Sequence, residues 1–294
     1  MIVNPGYLLS LSNGQLLLTK EDEQVEIPIA QIKRLFISSG EGSITIPVLV
    51  ELTAHNVSVI LCDRFRNPIG EFASIADNNE SAGRQMDQAN WSSRRKSAVW
   101  KRIVIMKICS QEELLVINRK AAPKVFAGYI RNVRSNDETN REAVVAKEYF
   151  SLLFGSKFVR FADDEINSAL DYGYAIIRNS FSRAVAMYGY NNTLGIHHCS
   201  RHNRFNLACD LMEPFRPFID SYVYGHSERK LDTEYKKELI SILNGDCLYG
   251  RKRMSIDNAI ICFTLDALKS MNGQKMFIKE LRFVKTCTGT DGIL

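Results

Sequence analysis

Residues 76–90, ADNNESAGRQMDQAN, separate two parts of the chain that differ in their sequence pattern. The stretch has three consecutive Asp or Asn residues from position 77 and almost no large apolar side chain, which is typical of a linker. Apolar residues alternate as in strands before it and recur as in helices after it. The sequence therefore predicts an N-terminal domain over residues 1–76, a linker over 77–90 and a second domain over 91–294.

The N-terminal part has the pattern of a β-rich domain. Asn13 and Gly14 lie between two apolar runs, and this dipeptide supplies the two positive φ angles of a type I′ hairpin turn. Val25, Ile27 and Ile29 then alternate with polar residues, which predicts a half-buried strand.

Helical periodicity is sustained over most of the chain beyond position 90. Apolar residues recur every three or four positions over residues 167–190, and a second helix over residues 136–154 is expected to end at Gly155. The predicted fold class is α+β, with a small N-terminal β-rich domain followed by a larger all-α C-terminal domain.

The composition is that of a globular protein, with 45% hydrophobic and 24% charged residues among 294. The longest apolar runs, such as residues 57–62, are far shorter than the ~20 residues that span a bilayer, so no membrane association is expected. Seven scattered cysteines without a C-x-x-C pair argue against a disulfide framework or a zinc ribbon. Because no secretory signal pattern is visible either, we expect a cytoplasmic protein.

Basic side chains concentrate in two stretches that contain no acidic residue, 91–107 and 118–134. Both also carry aromatic residues, and this combination suits contacts with a phosphate backbone. An equally simple interpretation is a pair of amphipathic helices whose basic faces are solvated.

Glu142 is expected on the buried side of the 136–154 helix. Positions 142, 146, 149 and 153 share one face, and the last three are Ala, Tyr and Leu. Carboxylates are rarely buried without a partner or a metal ion, so Glu142 is a candidate ligand. Alternatively, Glu142 lies near the helix start, where the helix dipole favours its charge and the side chain points to solvent.

A second group of polar residues follows in a loop and the start of a helix. His197, His198 and His202 lie in the loop, and Asp210 and Glu213 share a face of the helix. One imidazole and two carboxylates on converging segments form a mixed nitrogen and oxygen site, which suits Mg²⁺ or Mn²⁺.

Two other interpretations of this segment remain open. His198 and His202 could form a thiolate–imidazole zinc site with Cys199 and Cys209, although the sequence lacks C-x-x-C and H-E-x-x-H. In the simplest alternative, the histidines cap the helix and Asp210 pairs with a nearby arginine without any metal.

Residues 194–220, LGIHHCSRHNRFNLACDLMEPFRPFID, and residues 140–150, NREAVVAKEYF, resemble the CRISPR spacer-acquisition integrase, the first of the CRISPR-associated proteins. The strings GIHH and DLMEPFRP carry the resemblance, which extends over nearly the whole chain and is greatest to the forms found beside the type II effector nuclease. It implies that Glu142, His198 and Glu213 are catalytic residues that bind a divalent metal ion, Mg²⁺ or Mn²⁺.

The resemblance also implies a catalytic role for Asp210, which would orient the site or act as a base. His198 is preferred to His197 as the ligand because the family's ligand is the last residue of its four-residue string. Ala143 stands where the family's helix has glycine, and we expect no loss of function because alanine is small and favours helix.

The implied activity is that of a metal-dependent DNA endonuclease and integrase, which inserts short duplex spacers into a CRISPR array by 3′-hydroxyl transesterification. The expected partners of this prokaryotic protein are double-stranded DNA (prespacer and repeat), a second copy of the chain in a homodimer, the small ferredoxin-like second CRISPR-associated protein, and the type II effector with its accessory adaptation proteins. In such a complex the candidate DNA contacts are Arg94, Arg95, Lys96, Lys101, Arg102, Arg119, Lys120, Lys124, Arg201 and Arg204.

Two alternative functions belong to other classes. A non-catalytic DNA-binding scaffold would bind DNA equally well in the presence of a chelator. A zinc-dependent hydrolase using Cys199 or Cys209 would retain stoichiometric zinc through purification.

Overall fold

A computed structural model describes residues 1–3, 6–32, 34–38, 42–55, 57–62, 68–72, 80–273 and 275–284. The chain divides into two units, Met1–Asn79 and Glu80–Leu294. Residues 77–79 of the predicted linker lie outside the described residues.

The described residues of the N-terminal unit form two four-stranded sheets, one α-helix and a short 3₁₀ helix, Ile29–Gln31. The strands and the α-helix of this unit are β1 (Ile2–Val3), β2 (Leu8–Ser12), β3 (Gln15–Lys20), β4 (Glu23–Pro28), β5 (Arg34–Ser38), β6 (Ser43–Ile44), α1 (Ile46–Ala54), β7 (Ser58–Cys62) and β8 (Pro68–Phe72). The strand order is β1-β5-β7-β8 in one sheet and β4-β3-β2-β6 in the other.

The β2–β3 hairpin forms as the sequence predicts. Ser12 lies opposite Gln15, and the turn residues Asn13 and Gly14 have φ angles of 49° and 74°. The strand predicted around Val25 is also present, as β4 at the edge of its sheet, but Val25 is 47% exposed. Among the six residues of β4 only Ile27 is partly buried, so the prediction of a half-buried strand is wrong for Val25.

The C-terminal unit is mainly helical. Its elements are α2 (Ser81–Ala89), α3 (Ser93–Ile117), α4 (Ala127–Arg131), α5 (Arg141–Phe154), α6 (Glu165–Met187), α7 (Asn206–Met212), α8 (Arg216–Gly225), α9 (Thr233–Ser241), β9 (Asp246–Tyr249), β10 (Lys252–Ser255), α10 (Ile256–Asn272) and β11 (Leu281–Phe283). The α+β class is confirmed, but the larger unit is not all-α, because β9 to β11 form an antiparallel sheet of order β10-β9-β11.

The predicted linker over residues 77–90 is corrected by helix α2. The side chain of Gln88 on this helix is buried, and its amide nitrogen donates to the backbone carbonyls of Asn191 and Leu194, at 2.8 and 2.7 Å. Its amide oxygen accepts from the backbone N–H of Asn191 at 2.8 Å. Gln88 therefore joins this helix to the segment before the histidines, whereas a linker residue would face solvent.

The core of the C-terminal unit contains the apolar faces of the long helices. On α6, Leu170, Ile177 and Phe181 are fully buried at the helical spacing that the sequence shows. None of the described helices combines the length and apolar character that a bilayer crossing requires.

Candidate active site

Asp210 on α7 is completely buried and holds the loop that carries the histidines. Its Oδ2 accepts hydrogen bonds from the backbone N–H groups of Ile196 and His197, at 2.6 and 3.0 Å. Its Oδ1 accepts from the backbone N–H of His198 at 3.0 Å and lies 2.6 Å from Nδ1 of the same residue. Such donors replace water around a buried carboxylate, so Asp210 and the loop fix each other's position.

Gly195 allows the loop to approach this carboxylate closely. A Cβ atom at this position would lie 2.8 Å from Oδ2 of Asp210 and would overlap the backbone carbonyl of His198. A larger residue would therefore displace the loop. Gly195 is the first residue of the GIHH string, and its role depends on the way the loop folds back on α7, which residue spacing does not show.

The two adjacent histidines have different surroundings. The ring of His197 stacks on Trp100, with centroids 4.3 Å apart and planes 2° from parallel, and its Nδ1 lies 3.3 Å from Oδ1 of Asn136. Nδ1 of His198 is engaged by Asp210, whose hydrogen bond raises the pKa of His198 above its ordinary value, against the opposing effect of partial burial. When the His198 ring is neutral, a proton on Nδ1 leaves the lone pair of Nε2 available to a ligand-binding site.

Glu142 lies in the first turn of α5, where Asp137 positions it. The Asp137 carboxylate accepts hydrogen bonds from the backbone N–H groups of Arg141 and Glu142, both at 2.9 Å. The helix accordingly begins at Arg141 and not at the predicted position 136, since this carboxylate caps its start. On the face of Glu142, Tyr149 and Leu153 are fully buried, as predicted.

Glu213 follows the last residue of α7 and opens a short 3₁₀ helix, Glu213–Phe215. Its side chain is 6% exposed, and its Oε1 accepts from Nε and Nη2 of Arg216, at 3.0 and 2.9 Å. Burial alone would raise the pKa of the Glu213 carboxyl, but Arg216 and Lys107 outweigh it and lower this pKa to about 2. Glu213 is therefore held as an anion.

Lys107 on α3 is a site residue that the sequence analysis did not identify. Its ammonium forms ion pairs with Oε1 of Glu142 and Oε2 of Glu213, and its side chain is 7% exposed. Burial alone would lower the pKa of Lys107, but Glu213 and Glu142 outweigh it and raise this pKa. The sequence places Lys107 in the basic stretch 91–107 that suits phosphate contacts, whereas the structure buries it between two carboxylates.

Glu142, His198 and Glu213 line one cavity of about 590 Å³. Lys107 and Gln111 of α3 line the same cavity. The helix α5, the loop that carries the histidines and the end of α7 thus bring Glu142, His198 and Glu213 to one cavity, although they are far apart in the sequence. His198, and not His197, is the adjacent histidine that lines it.

The donor chemistry of these residues fits a hard divalent cation. Two carboxylates and one imidazole nitrogen are ligands that Mg²⁺ and Mn²⁺ accept, and a cationic nitrogen already lies between the two carboxylates. In this conformation, no group of three or more His, Cys, Asp or Glu side chains within the described ranges is arranged to hold a metal ion directly. Lys107 lies between two of the predicted ligands.

The alternative thiolate–imidazole zinc site is not formed either. Cys199 is exposed, and the thiol of Cys209 accepts a hydrogen bond from Nδ2 of Asn203 at 3.5 Å. Among the described residues, neither these thiols nor His202 belongs to a group that could hold a metal ion.

The candidate DNA contacts divide into several groups. Lys96, Arg201 and Arg204 line a second cavity, of about 410 Å³, which also reaches His198. Arg95 and Arg102 instead donate hydrogen bonds to backbone carbonyls of Ser270, Lys275 and Ile278. The remaining candidates are exposed or half-buried on α3 and the segment that follows it: Arg94, Lys101, Arg119, Lys120 and Lys124.

The site thus consists of two carboxylates, a histidine fixed by a buried aspartate, and adjacent basic residues, in a helical unit that follows a β-rich unit. A family model described as CRISPR associated protein Cas1 matches residues 1–243, and the chain therefore belongs to the Cas1 family. It is 33% identical over 266 residues to the CRISPR-associated endonuclease Cas1 of Neisseria meningitidis, covering 88% of each chain.

Solved structures share the fold. A casposase bound to its integration product is 16% identical, with a TM-score of 0.76 over 94% of this chain and 91% of the other. A chain of a Cas6-RT-Cas1–Cas2 complex is 19% identical, with a TM-score of 0.68 over 95% of this chain and 35% of the other.

Proposed function

We propose that this chain is a divalent-metal-dependent DNA integrase and endonuclease that inserts short duplex spacers into a CRISPR array. The observation that carries the proposal is the cavity shared by Glu142, His198 and Glu213, in a member of the Cas1 family. The name of the Neisseria relative, an endonuclease, and the integration product bound to the casposase support the same chemistry.

Glu142, Glu213 and Nε2 of His198 would hold Mg²⁺ or Mn²⁺. When bound, such an ion stabilises negative charge on a phosphoryl oxygen and on an attacking or leaving hydroxyl oxygen. Asp210 orients the imidazole through Nδ1, as carboxylates do for metal-binding histidines. Arg216 keeps Glu213 ionised.

The chain supplies no nucleophile of its own in this reaction, because the 3′-hydroxyl of the incoming DNA strand attacks the phosphodiester. The residues of the site therefore bind and orient two DNA ends and the target phosphate. Lys96, Arg201 and Arg204, beside His198, are the candidates for phosphate contacts nearest to this chemistry.

Insertion of both ends of a duplex requires two such sites at a fixed spacing. We therefore propose a homodimer that works with the small ferredoxin-like second CRISPR-associated protein, prespacer and repeat DNA, and the type II effector and its accessory proteins. The solved complex of Cas1 with Cas2 supports a partner of this kind. A cytoplasmic location suits all of these partners.

The test is an integration assay with a labelled duplex and a plasmid that carries the repeat array, with and without Mn²⁺ and the small partner protein. We expect Glu142→Gln and His198→Ala to reduce strand transfer by roughly 10² to 10⁴-fold, because each removes a ligand from the reacting centre. Glu148→Gln is the matched control, since Glu148 lies on the same helix but pairs with the hydroxyl of Tyr129 at 3.0 Å.

Normal integration by both variants would refute the assigned site. DNA binding that is unchanged by a chelator, without formation of any new joint, would instead indicate a scaffold. Stoichiometric zinc that survives dialysis would favour the zinc-dependent hydrolase.

A further inference from the structure

Lys107 forms contacts that a metal-binding site does not ordinarily contain. Its ammonium contacts Glu142 and Glu213 at the same time, and these are two of the three ligands proposed above. The side chains of Lys107 and Glu213 are 7% and 6% exposed. A lysine is seldom buried to this extent unless opposite charges surround it.

The charges at this point balance without any metal ion. Two carboxylates, Glu142 and Glu213, face two cations, Lys107 and Arg216. Two anions so close together repel each other strongly in a buried site, and the ammonium between them removes this repulsion. The lysine therefore does in this conformation what a divalent cation would do between the same oxygens.

Gln111 provides a second place for the ammonium. It lies four residues after Lys107 on α3, so the two side chains share one face of the helix. Gln111 is 2% exposed and lines the same cavity. Within the described part of the chain, its Oε1 has no hydrogen-bond partner, and a buried acceptor of this kind is costly to leave unpaired.

We propose that Lys107 is an internal competitor of the metal ion, which holds Glu142 and Glu213 together in the metal-free protein and moves to Oε1 of Gln111 when the ion binds. The proposal rests on the metal site of the proposed function. Both Lys107 and Gln111 are positioning residues, since they act through the ligands.

One consequence concerns affinity. A side chain that must leave before the ion binds lowers the apparent affinity of the site, and its removal raises that affinity. The other consequence concerns Gln111. An acceptor that receives the displaced ammonium favours the metal-bound state, but only while the lysine is present.

The experiment measures Mn²⁺ binding to the full-length protein by calorimetry and by the electron paramagnetic resonance of the free ion. We expect Lys107→Met to tighten Mn²⁺ binding by roughly 5- to 150-fold, the usual range of coupling between two sites. Lys147→Met is the matched control, because Lys147 lines the same cavity on α5, and its affinity should match that of the unaltered protein.

Gln111→Leu should weaken Mn²⁺ binding in the otherwise unaltered protein and have no effect when combined with Lys107→Met. This double-mutant cycle separates the proposed transfer from a simple packing role, which would give the same change in both backgrounds.

Thermal unfolding supplies an independent measurement. Metal-free Lys107→Met should melt at a lower temperature than the unaltered protein and gain more on addition of Mn²⁺.

Unchanged or weaker binding by Lys107→Met would overturn the proposal and leave the metal site intact. An effect of Gln111→Leu that is equal in both backgrounds would overturn the role of Gln111. Unchanged Mn²⁺ binding by Gln111→Leu in the otherwise unaltered protein would also overturn it, and that measurement does not require Lys107→Met. If neither the unaltered protein nor any variant binds Mn²⁺ more tightly than Glu142→Gln does, the lysine proposal and the metal site of the proposed function both fail.

Discussion

Two buried carboxyl groups line the same cavity and have opposite environments. Glu213 is paired with Lys107 and Arg216, and these cations lower its pKa to about 2 although burial acts to raise it. Asp220, on α8, accepts hydrogen bonds from the hydroxyl groups of Tyr149, at 2.8 Å, and Tyr174. Burial raises the pKa of Asp220 to about 6, against these hydrogen bonds, which act to lower it.

Burial alone therefore does not decide whether a carboxyl group in this cavity is charged. Cations at contact distance keep one carboxylate ionised at any ordinary pH. Neutral hydroxyl groups, in contrast, allow the other to bind a proton in mildly acidic solution. Of these two carboxyl groups, the proposed metal ligand is thus the one whose negative charge is stabilised.

Neutralising each carboxyl group in turn tests this difference most directly. Glu213→Gln should lower strand transfer by roughly 10² to 10⁴-fold, because it removes a proposed metal ligand, whereas Asp220→Asn should retain most of the activity. The measurement is the initial rate of integration for folded protein of both variants. Equal losses would mean that the two carboxyl groups do not differ in function.

A smaller effect is expected where a carboxylate acts through a histidine. Asp210→Asn replaces the group that fixes His198 and should reduce Mn²⁺ affinity or strand transfer by roughly 10- to 100-fold. Titration of Mn²⁺ in the integration assay measures both quantities. A loss as large as that of Glu213→Gln would indicate that Asp210 contacts the reacting groups directly.

The two carboxyl groups should give stability profiles of opposite slope. The folded state binds the Asp220 proton more tightly than the unfolded chain does, so this stabilisation is lost as the pH rises from about 4 to about 6. The contribution of Glu213 is instead lost as the pH falls from about 4.5 towards about 2. Asp220→Asn should remove the first loss, about 3 kcal/mol, from urea unfolding curves recorded across this pH range.

If the unfolding free energies of Asp220→Asn and of the unaltered protein changed with pH in the same way, Asp220 would not be the group responsible for the loss of stability. Glu213→Gln is the informative partner, because it should leave the fall between about pH 4 and about pH 6 in place.

The smallest effect concerns the hydroxyl groups. Tyr149→Phe removes one donor from Asp220 and should cost about 1 kcal/mol of unfolding free energy at neutral pH, where the carboxylate is ionised. At a pH near 4 the cost should be smaller, since the protonated carboxyl group depends less on that donor. Urea denaturation at the two pH values provides the measurement, and a cost independent of pH would argue against an ionised Asp220 at neutrality.

Local sequence patterns predicted the helix face on which Glu142 lies but not the side chains around it. Glu142 could be assigned to a buried helix face because its position relative to Tyr149 and Leu153 depends only on helix geometry. The resemblance to the integrase family then connected it with His198 and Glu213. The α+β class followed in the same way from a change of periodicity along the chain.

Long-range pairs could not be obtained in this way. In the sequence, Lys107 is one more cation in a basic stretch. Ile103 and Leu114 lie on the same helical face and are fully buried. Their spacing from Lys107 is the signal that could have indicated its burial. Gln88 resembles a linker residue until its partners in the segment before the histidines are known. Val25 has the alternation of a buried strand, but its strand lies at the edge of a sheet.

Gly195 sets a limit on how this site can vary. Because a Cβ atom on Gly195 would overlap both the His198 carbonyl and the Asp210 carboxylate, even one added methyl group would displace the loop that positions His198. A protein engineer who wished to redesign the cavity could exchange its lining residues one by one, but the turn before the histidines would have to be left untouched.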